Sequence, residues 1–211
     1  KEELRRNLPE LPHEMKARFM QECRLPSYDA SILTSDWDMA NYFEGVARSS
    51  LMTGESLADP DFKLCANWVI NEVAAKMNQE NLPSWRFGVS DDTLGHILRR
   101  VREGVINAKT AKDLFAEFWD EARNSNYSKH GGNTQRVDEL IEERGLKQVS
   151  DTGAIEALVD EIIANNTDKV EEYRGGKEKL FGFFVGLAMK ASKGKANPAQ
   201  LNEVLKRKLS G

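Results

Sequence analysis

Apolar residues in this chain recur at three- and four-residue intervals almost from end to end, and this period constrains the fold more than any other feature. Such spacing places apolar side chains on one face of a helix, whereas a half-buried strand needs strict alternation. Strand-like alternation is scarce here, and helix punctuation is abundant. Pro12 stands where a first helical position belongs and opens a helix through about Cys23. Leu25-Pro26 ends it, because the residue before proline avoids the helical region. A second helix is expected over Ser35–Ser49, with Trp37, Ala40, Phe43 and Ala47 at helical spacing. Asp59-Pro60 reads as a cap and first-turn proline for a helix whose core stripe is Phe62, Cys65, Ala66, Val69, Val73 and Met77. Ser90 caps the next helix, which turns Leu94, Ile97, Leu98 and Val101 inward and ends at Gly104.

Thr110–Arg123 packs through Leu114, Phe115, Phe118 and Trp119, and the polar, glycine-containing stretch Asn124–Asn133 is a loop. A short helix over about Arg136–Arg144 stops at Gly145. Ser150-Asp151 starts another, presenting Ile155, Leu158, Val159 and Ile162 and ending near Asn165-Asn166. Lys169–Tyr173 is a short helix stopped by Gly175-Gly176. Lys177–Ser192 follows, and a last helix runs from Pro198 with Asn197 as its cap. No internal repeat is visible. The expected fold is all-α, with a helical body over residues 1–145 and a small helical tail domain over 146–211. A tail of this size folds marginally by itself and should lean on the body or on a partner.

The 211 residues are 40% hydrophobic and 30% charged, enough for a core and for a soluble surface. No apolar run approaches the ~18 residues of a membrane span. The chain begins Lys-Glu-Glu rather than with Met and shows no signal peptide, so it is expected to be a fragment whose upstream part is missing. Cys23 and Cys65 lie far apart without a second ligand pattern, which predicts buried thiols in a reduced cytosol.

The net charge of −4 hides an asymmetry. From Tyr173 to Gly211 there are nine Lys/Arg and two Asp/Glu, a net of +7, which leaves −11 on the rest. A basic end on an acidic body suggests a localised anionic partner, and a merely solvated basic helix is the alternative. The Lys177–Ser192 helix is apolar on nearly every face, which predicts a buried helix. Glycine inside a helix costs about 1 kcal/mol against alanine, so Gly182 and Gly186, four apart on one stripe, need a reason. Close packing of another helix is one, and close approach of a nucleic-acid backbone is the other. Lys177 and Lys179 lie in the first turn of this helix; Lys190 and Lys193 close it, and Gly194 should terminate it. Lys195 and Asn197 sit on the turn into the last helix, whose end carries Lys206, Arg207 and Lys208. Basic residues near a helix C-terminus are favourable with its dipole in any case.

His13, His96 and His130 have no metal-ligand spacing. Ser, His and acid residues form no nucleophile signature, and Gly175-Gly176-Lys177 is too short for a phosphate-cradling loop. The expectation is that no active site is complete within this chain.

Several segments, in order, resemble the C-terminal half of GatB, a component of the bacterial tRNA-dependent amidotransferases whose tail is YqeY-like. They are LPELP at Leu8–Pro12, Arg18-Phe19, LPSYDASILT at Leu25–Thr34, ANYFE at Ala40–Glu44, Ala66-Asn67-Trp68, INAKTAKDLF at Ile106–Phe115, and YRGGKEKLFGFFVGLAMKASKGKANP at Tyr173–Pro198. The pattern departs at Leu187, where the family usually has glutamine, at Ser192 for threonine, and at Asn41 for aspartate.

This resemblance implies a part in converting Glu-tRNA(Gln) or Asp-tRNA(Asn) to Gln-tRNA(Gln) or Asn-tRNA(Asn) in the cytoplasm. It implies the amidase subunit GatA and the small subunit GatC as partners in the full-length protein. ATP and magnesium are expected in an N-terminal domain missing here, with no cofactor in this fragment. The helical domain and tail would grip the tRNA elbow near the D-loop, with Lys177, Lys179, Lys190, Lys193, Lys195, Asn197, Lys206 and Arg207 as the RNA-binding residues. A standalone YqeY-like RNA-binding protein and a helical protein-interaction scaffold are the other readings.

Overall fold

A computed structural model of the chain describes residues 10–51, 60–83, 85–125, 133–149 and 152–210. It is all-α, as expected; the described residues include no strand beyond one isolated parallel bridge, Val149 with Ala196. The chain divides into two compact units. The first comprises Lys1–Arg100 and Asp113–Val137, the second Val101–Lys112 and Asp138–Gly211.

The first unit begins with α1 (Pro12–Gln21), α2 (Ser27–Leu33) and α3 (Trp37–Ser49). Pro12 opens α1 as its first residue. α1 stops at Gln21, short of Pro26, and Pro26 is the N-cap residue of α2, a helix not expected from the sequence. Asp36 caps α3, accepting from the amides of Asp38 and Met39. This cap turns Trp37 outward, 60% exposed, rather than toward the core with Ala40, Phe43 and Ala47.

The helix α4 (Phe62–Trp68) is capped by Asp61, whose carboxylate accepts from the Leu64 amide. Pro60 therefore precedes the cap instead of following it, and Asp59 lies outside the described residues. The stripe then widens into a π-helical turn at Val69–Val73 before α5 (Ala74–Gln79). That extra residue keeps Cys65, Val69, Val73 and Met77 buried.

Helix α6 (Asp91–Arg102) starts on Ser90, which accepts from the Thr93 amide. Helix α7 (Ala108–Asn124) starts two residues before the expected Thr110, because Asn107 is its cap: the side-chain oxygen accepts from the Thr110 amide at 2.9 Å. Aromatic packing closes this unit. Trp68 meets Phe115 edge-on, Tyr42 stacks on Phe87 at 3.9 Å, and the Trp119 indole donates to Glu80. Helices also approach closely at glycine. A Cβ on Gly95 would lie 2.4 Å from Ser49 Cβ and 2.7 Å from the Val46 carbonyl oxygen.

The second unit carries α8 (Thr134–Glu143) from Asp138 on, then α9 (Thr152–Ala164), α10 (Thr167–Arg174), α11 (Leu180–Ala191) and α12 (Pro198–Ser210). The expected start at Ser150-Asp151 lies outside the described residues, as do most of the expected loop Asn124–Asn133 and His130. The tail core joins Ile155, Val159 and Ile162 of α9, Val170 of α10, Phe184 and Ala188 of α11, and Leu201, Val204, Leu205 and Leu209 of α12. Each large apolar side chain so buried contributes roughly 1.5–3 kcal/mol. No helix among the described residues is long and apolar enough to cross a membrane.

Candidate nucleic-acid interface

Helix α11 is not buried all round, contrary to its composition. Only Phe184 and Ala188 are fully buried on it, while Gly182, Phe183, Gly186 and Lys190 are exposed. At 100° per residue, Lys179, Gly182, Phe183, Gly186 and Lys190 fall on one stripe opposite Phe184 and Ala188. A Cβ added to Gly182 or Gly186 would meet nothing within 4 Å. The two glycines therefore seat no other helix among the described residues. Leu180, Phe181, Val185, Leu187 and Met189 are partly buried against the core, which leaves a single stripe of α11 exposed.

The turn after α11 is held rigidly. Lys193, not Gly194, is the left-handed residue that closes the helix, at φ 53°, with Gly194 following at φ 75°. The Lys193 amide donates to Lys190 O and the Gly194 amide to Met189 O, a complete Schellman cap. A side chain in this conformation costs about 1–2 kcal/mol that glycine would avoid. Strain of this kind tends to collect where a side chain's position is used.

Further bonds fix the turn, from within and from residues beyond it. Ser192 Oγ accepts from the Ala196 amide, and Val149 N donates to Lys195 O while Asn197 N donates to Val149 O. Asn197 Oδ1 accepts from the amides of Ala199 and Gln200, so it is the cap that the sequence suggested. Asn107 Nδ2, 87 residues earlier in the chain, donates to Gly194 O at 2.5 Å. Asn107 is 6% exposed, and its one amide group both caps α7 and pins the basic turn. Lys109, exposed in the first turn of α7, lies 3.7 Å from where a Gly194 Cβ would sit and adds another cation beside the turn. Neither Asn107 nor Lys109 stands out in the sequence; the INAKTAKDLF segment is notable there only for its likeness to a family.

The named lysines separate into two groups. Lys179, Lys190, Lys193 and Lys206 are exposed, Lys195 is half-buried, and none of the five has an acidic partner among the described residues. Lys177 instead pairs with Glu172 at 2.8 Å, and Arg207 pairs with Glu156. Hydrogen bonds from Lys169 and then Lys177 hold the Glu172 carboxyl down at about 2. Lys208, beside them, meets Asp160 at 2.8 Å. Lys190, Lys193, Lys195 and Asn197 are thus brought together at the end of α11 and its turn, Lys179 marks the other end of the same face, and Lys177 and Arg207 are engaged within the tail. Beside Lys190, a shallow groove of about 420 Å³ is lined by Leu158, Ile162, Leu187, Asn165 and Glu161.

The first unit offers charge of a different kind. Arg18 is bidentate to Glu10 and reaches Glu44 at 2.6 Å, a closed network in which Arg18 holds the Glu10 carboxyl below its ordinary range. Burial pushes the Cys23 thiol up to about 11, leaving it protonated and unreactive at neutral pH. Cys65 is buried as well. His96 is buried and accepts from Arg99. No group of three His, Cys, Asp or Glu side chains is gathered for a metal among the described residues.

Fold and surface together define an all-α protein whose helix α11 and its ends expose lysines that have no acidic partner among the described residues. Residues 53–209 match the family profile described as the GatB domain, and the chain belongs to the GatB family. It is 44% identical over 210 residues to the GatB subunit of the aspartyl/glutamyl-tRNA(Asn/Gln) amidotransferase of Syntrophotalea carbinolica, covering all of this chain and 40% of that relative. The same subunit from Azotobacter vinelandii is 46% identical over 215 residues, again with 100% and 40% covered. That of Nitrosococcus oceani is 44% identical over 209 residues, 99% of this chain and 40% of the relative. The chain thus spans about 40% of the length of these relatives and corresponds to their C-terminal part.

Proposed function

We propose that this chain is the tRNA-gripping part of an amidotransferase GatB subunit, and that it acts by position rather than by chemistry. The observation that carries this reading is the uncovered face of α11, where two glycines open onto free space between lysines that have no acidic partner among the described residues. Glycine lets a phosphodiester backbone approach the helix closely, and the flanking ammonium groups neutralise its phosphates. The strained and pinned turn at residues 192–197 fixes Lys193 and Lys195, so less order is lost on binding. Recognition of this kind reads the shape of a folded RNA more than its sequence. The substrate class is tRNA(Gln), tRNA(Asn) or both, at the elbow near the D-loop, in the cytoplasm. ATP and magnesium chemistry is assigned to the part of the relatives that this chain does not span, and GatA and GatC complete the working enzyme. In that enzyme the chain selects the tRNA without touching the acyl group.

The test is a titration of the chain with tRNA(Gln), tRNA(Asn) and a tRNA outside the pathway across a salt series. A folded Lys190→Glu/Lys193→Glu/Lys195→Glu variant is run beside it. Preference for the pathway tRNAs is expected, with log K falling linearly in log salt and the variant losing roughly two to three units of that slope. Equal binding of all three tRNAs, unchanged in the variant, overturns the reading and leaves a scaffold.

A further inference from the structure

The exposed stripe of α11 carries one large apolar side chain. Phe183 is 41% exposed, although the neighbouring core has a phenylalanine, Phe184, at 0%. The two rings meet edge to face with centroids 5.5 Å apart, so Phe184 supports the Phe183 ring from beneath. Gly182 stands before it and Gly186 lies three positions on, nearly one turn away, and neither has a neighbour within 4 Å of a Cβ position. The ring is therefore flanked by space on its own helix. Along the axis it lies between Lys179 and Lys190, which span about 16 Å of helix. Both ammonium groups are exposed and without acidic partners among the described residues.

An apolar ring left in water costs free energy, so an aromatic kept exposed between free cations indicates an occupant that is both flat and anionic. A protein helix would satisfy the ring but not the lysines. A double-stranded RNA backbone would satisfy the lysines but not the ring. An RNA segment with an accessible base face satisfies both, because every base offers a π-face while its flanking phosphates meet cations. We propose that Phe183 is the stacking residue of this interface, taking the exposed face of a nucleobase in the tRNA while Lys179 and Lys190 hold the phosphates on either side. This inference rests on the tRNA-binding reading above and adds to it a base contact, where that reading needs only phosphates and shape.

The experiment compares the whole 211-residue chain with its Phe183→Leu and Phe183→Trp variants, each checked for unchanged helicity. Binding of tRNA(Gln) is measured across a salt series and followed by tryptophan fluorescence. Leucine keeps the apolar volume and removes the π-face; it should weaken binding about 5- to 100-fold and leave the salt slope unchanged. Tryptophan should restore affinity, and its indole should be quenched by tRNA beyond the response of the four native tryptophans. Leucine binding as well as phenylalanine, or weakened binding without added quenching in the tryptophan variant, overturns the stacking role. Self-association abolished by Phe183→Leu would overturn it in favour of a second copy of the chain. If the triple lysine variant still loses binding in the first of these cases, the tRNA reading stands without the base contact. If the unsubstituted chain binds no tRNA, both fall.

Discussion

In the first unit, glycine stands where neighbouring elements close on it; on α11 in the second, it stands where no described atom lies within 4 Å of a Cβ position. A Cβ on Gly45 would fall 2.9 Å from Asp91 Cβ, one on Gly88 would enter the Trp119 ring at 2.7 Å, and one on Gly95 would strike the backbone of α3. The same addition at Gly182 or Gly186 touches no atom within 4 Å. One residue type thus answers two demands. In the body it removes volume so that elements already in the chain can pack. In the tail it leaves space that no described residue fills, at a standing cost in helix stability. The charges divide less cleanly: Arg18 is locked among Glu10 and Glu44, and in the tail Lys177 and Arg207 are paired as well, while Lys179, Lys190 and Lys193 have no acidic partner among the described residues.

The contrast can be broken by substitution. Gly95→Ala should destabilise the chain by about 3 kcal/mol, because the clash includes the Val46 carbonyl and cannot be relieved by turning a side chain; urea unfolding would show it as a lowered midpoint. Next in size is Asn107→Asp, which keeps an oxygen to cap α7 but sets a carboxylate against Gly194 O. A loss of about 2 kcal/mol is expected, together with faster amide exchange at residues 192–197 and weaker tRNA binding. An unchanged exchange pattern would mean that the other bonds of the turn suffice without it. Smallest, and opposite in sign, Gly186→Ala should stabilise the chain by about 1 kcal/mol and lower tRNA affinity. Destabilisation at Gly186 would erase the distinction between the two kinds of glycine. Higher stability with unchanged RNA affinity would move the interface elsewhere.

Most of the helices were legible because caps and apolar period act locally. Ser90, Asn197 and Gly104 stand where the sequence placed them, since a cap depends on residues a few positions away. Three features were missed. The Asp59-Pro60 signal gave way to Asp61, an equally good cap two residues on. The π-turn at Val69–Val73 leaves the apolar stripe intact and so has no separate signature. The misjudged burial of α11 has the same root: composition reports how many faces could be buried, whereas its partners α9 and α12 decide how many are. The lysines of the candidate site were visible as a cluster, but their division into paired and open groups was not, because Glu156 reaches Arg207 from 51 positions away and Glu172 reaches Lys177 across the Gly175-Gly176 turn. Asn107 and Lys109 were hidden for the simplest reason: 87 positions separate Asn107 from the carbonyl it holds.

That separation has a practical meaning for anyone dissecting the chain. A scissile boundary drawn at Gly145, where the sequence invites one, would yield a tail fragment with every lysine of the turn and a complete hydrophobic core. It would lack the Asn107 amide that fastens Gly194 and the Val105 carbonyl that receives the Gln148 amide. Such a piece would carry the right side chains on an untethered hinge. Its failure to act would report on the missing anchor rather than on the residues it still possessed.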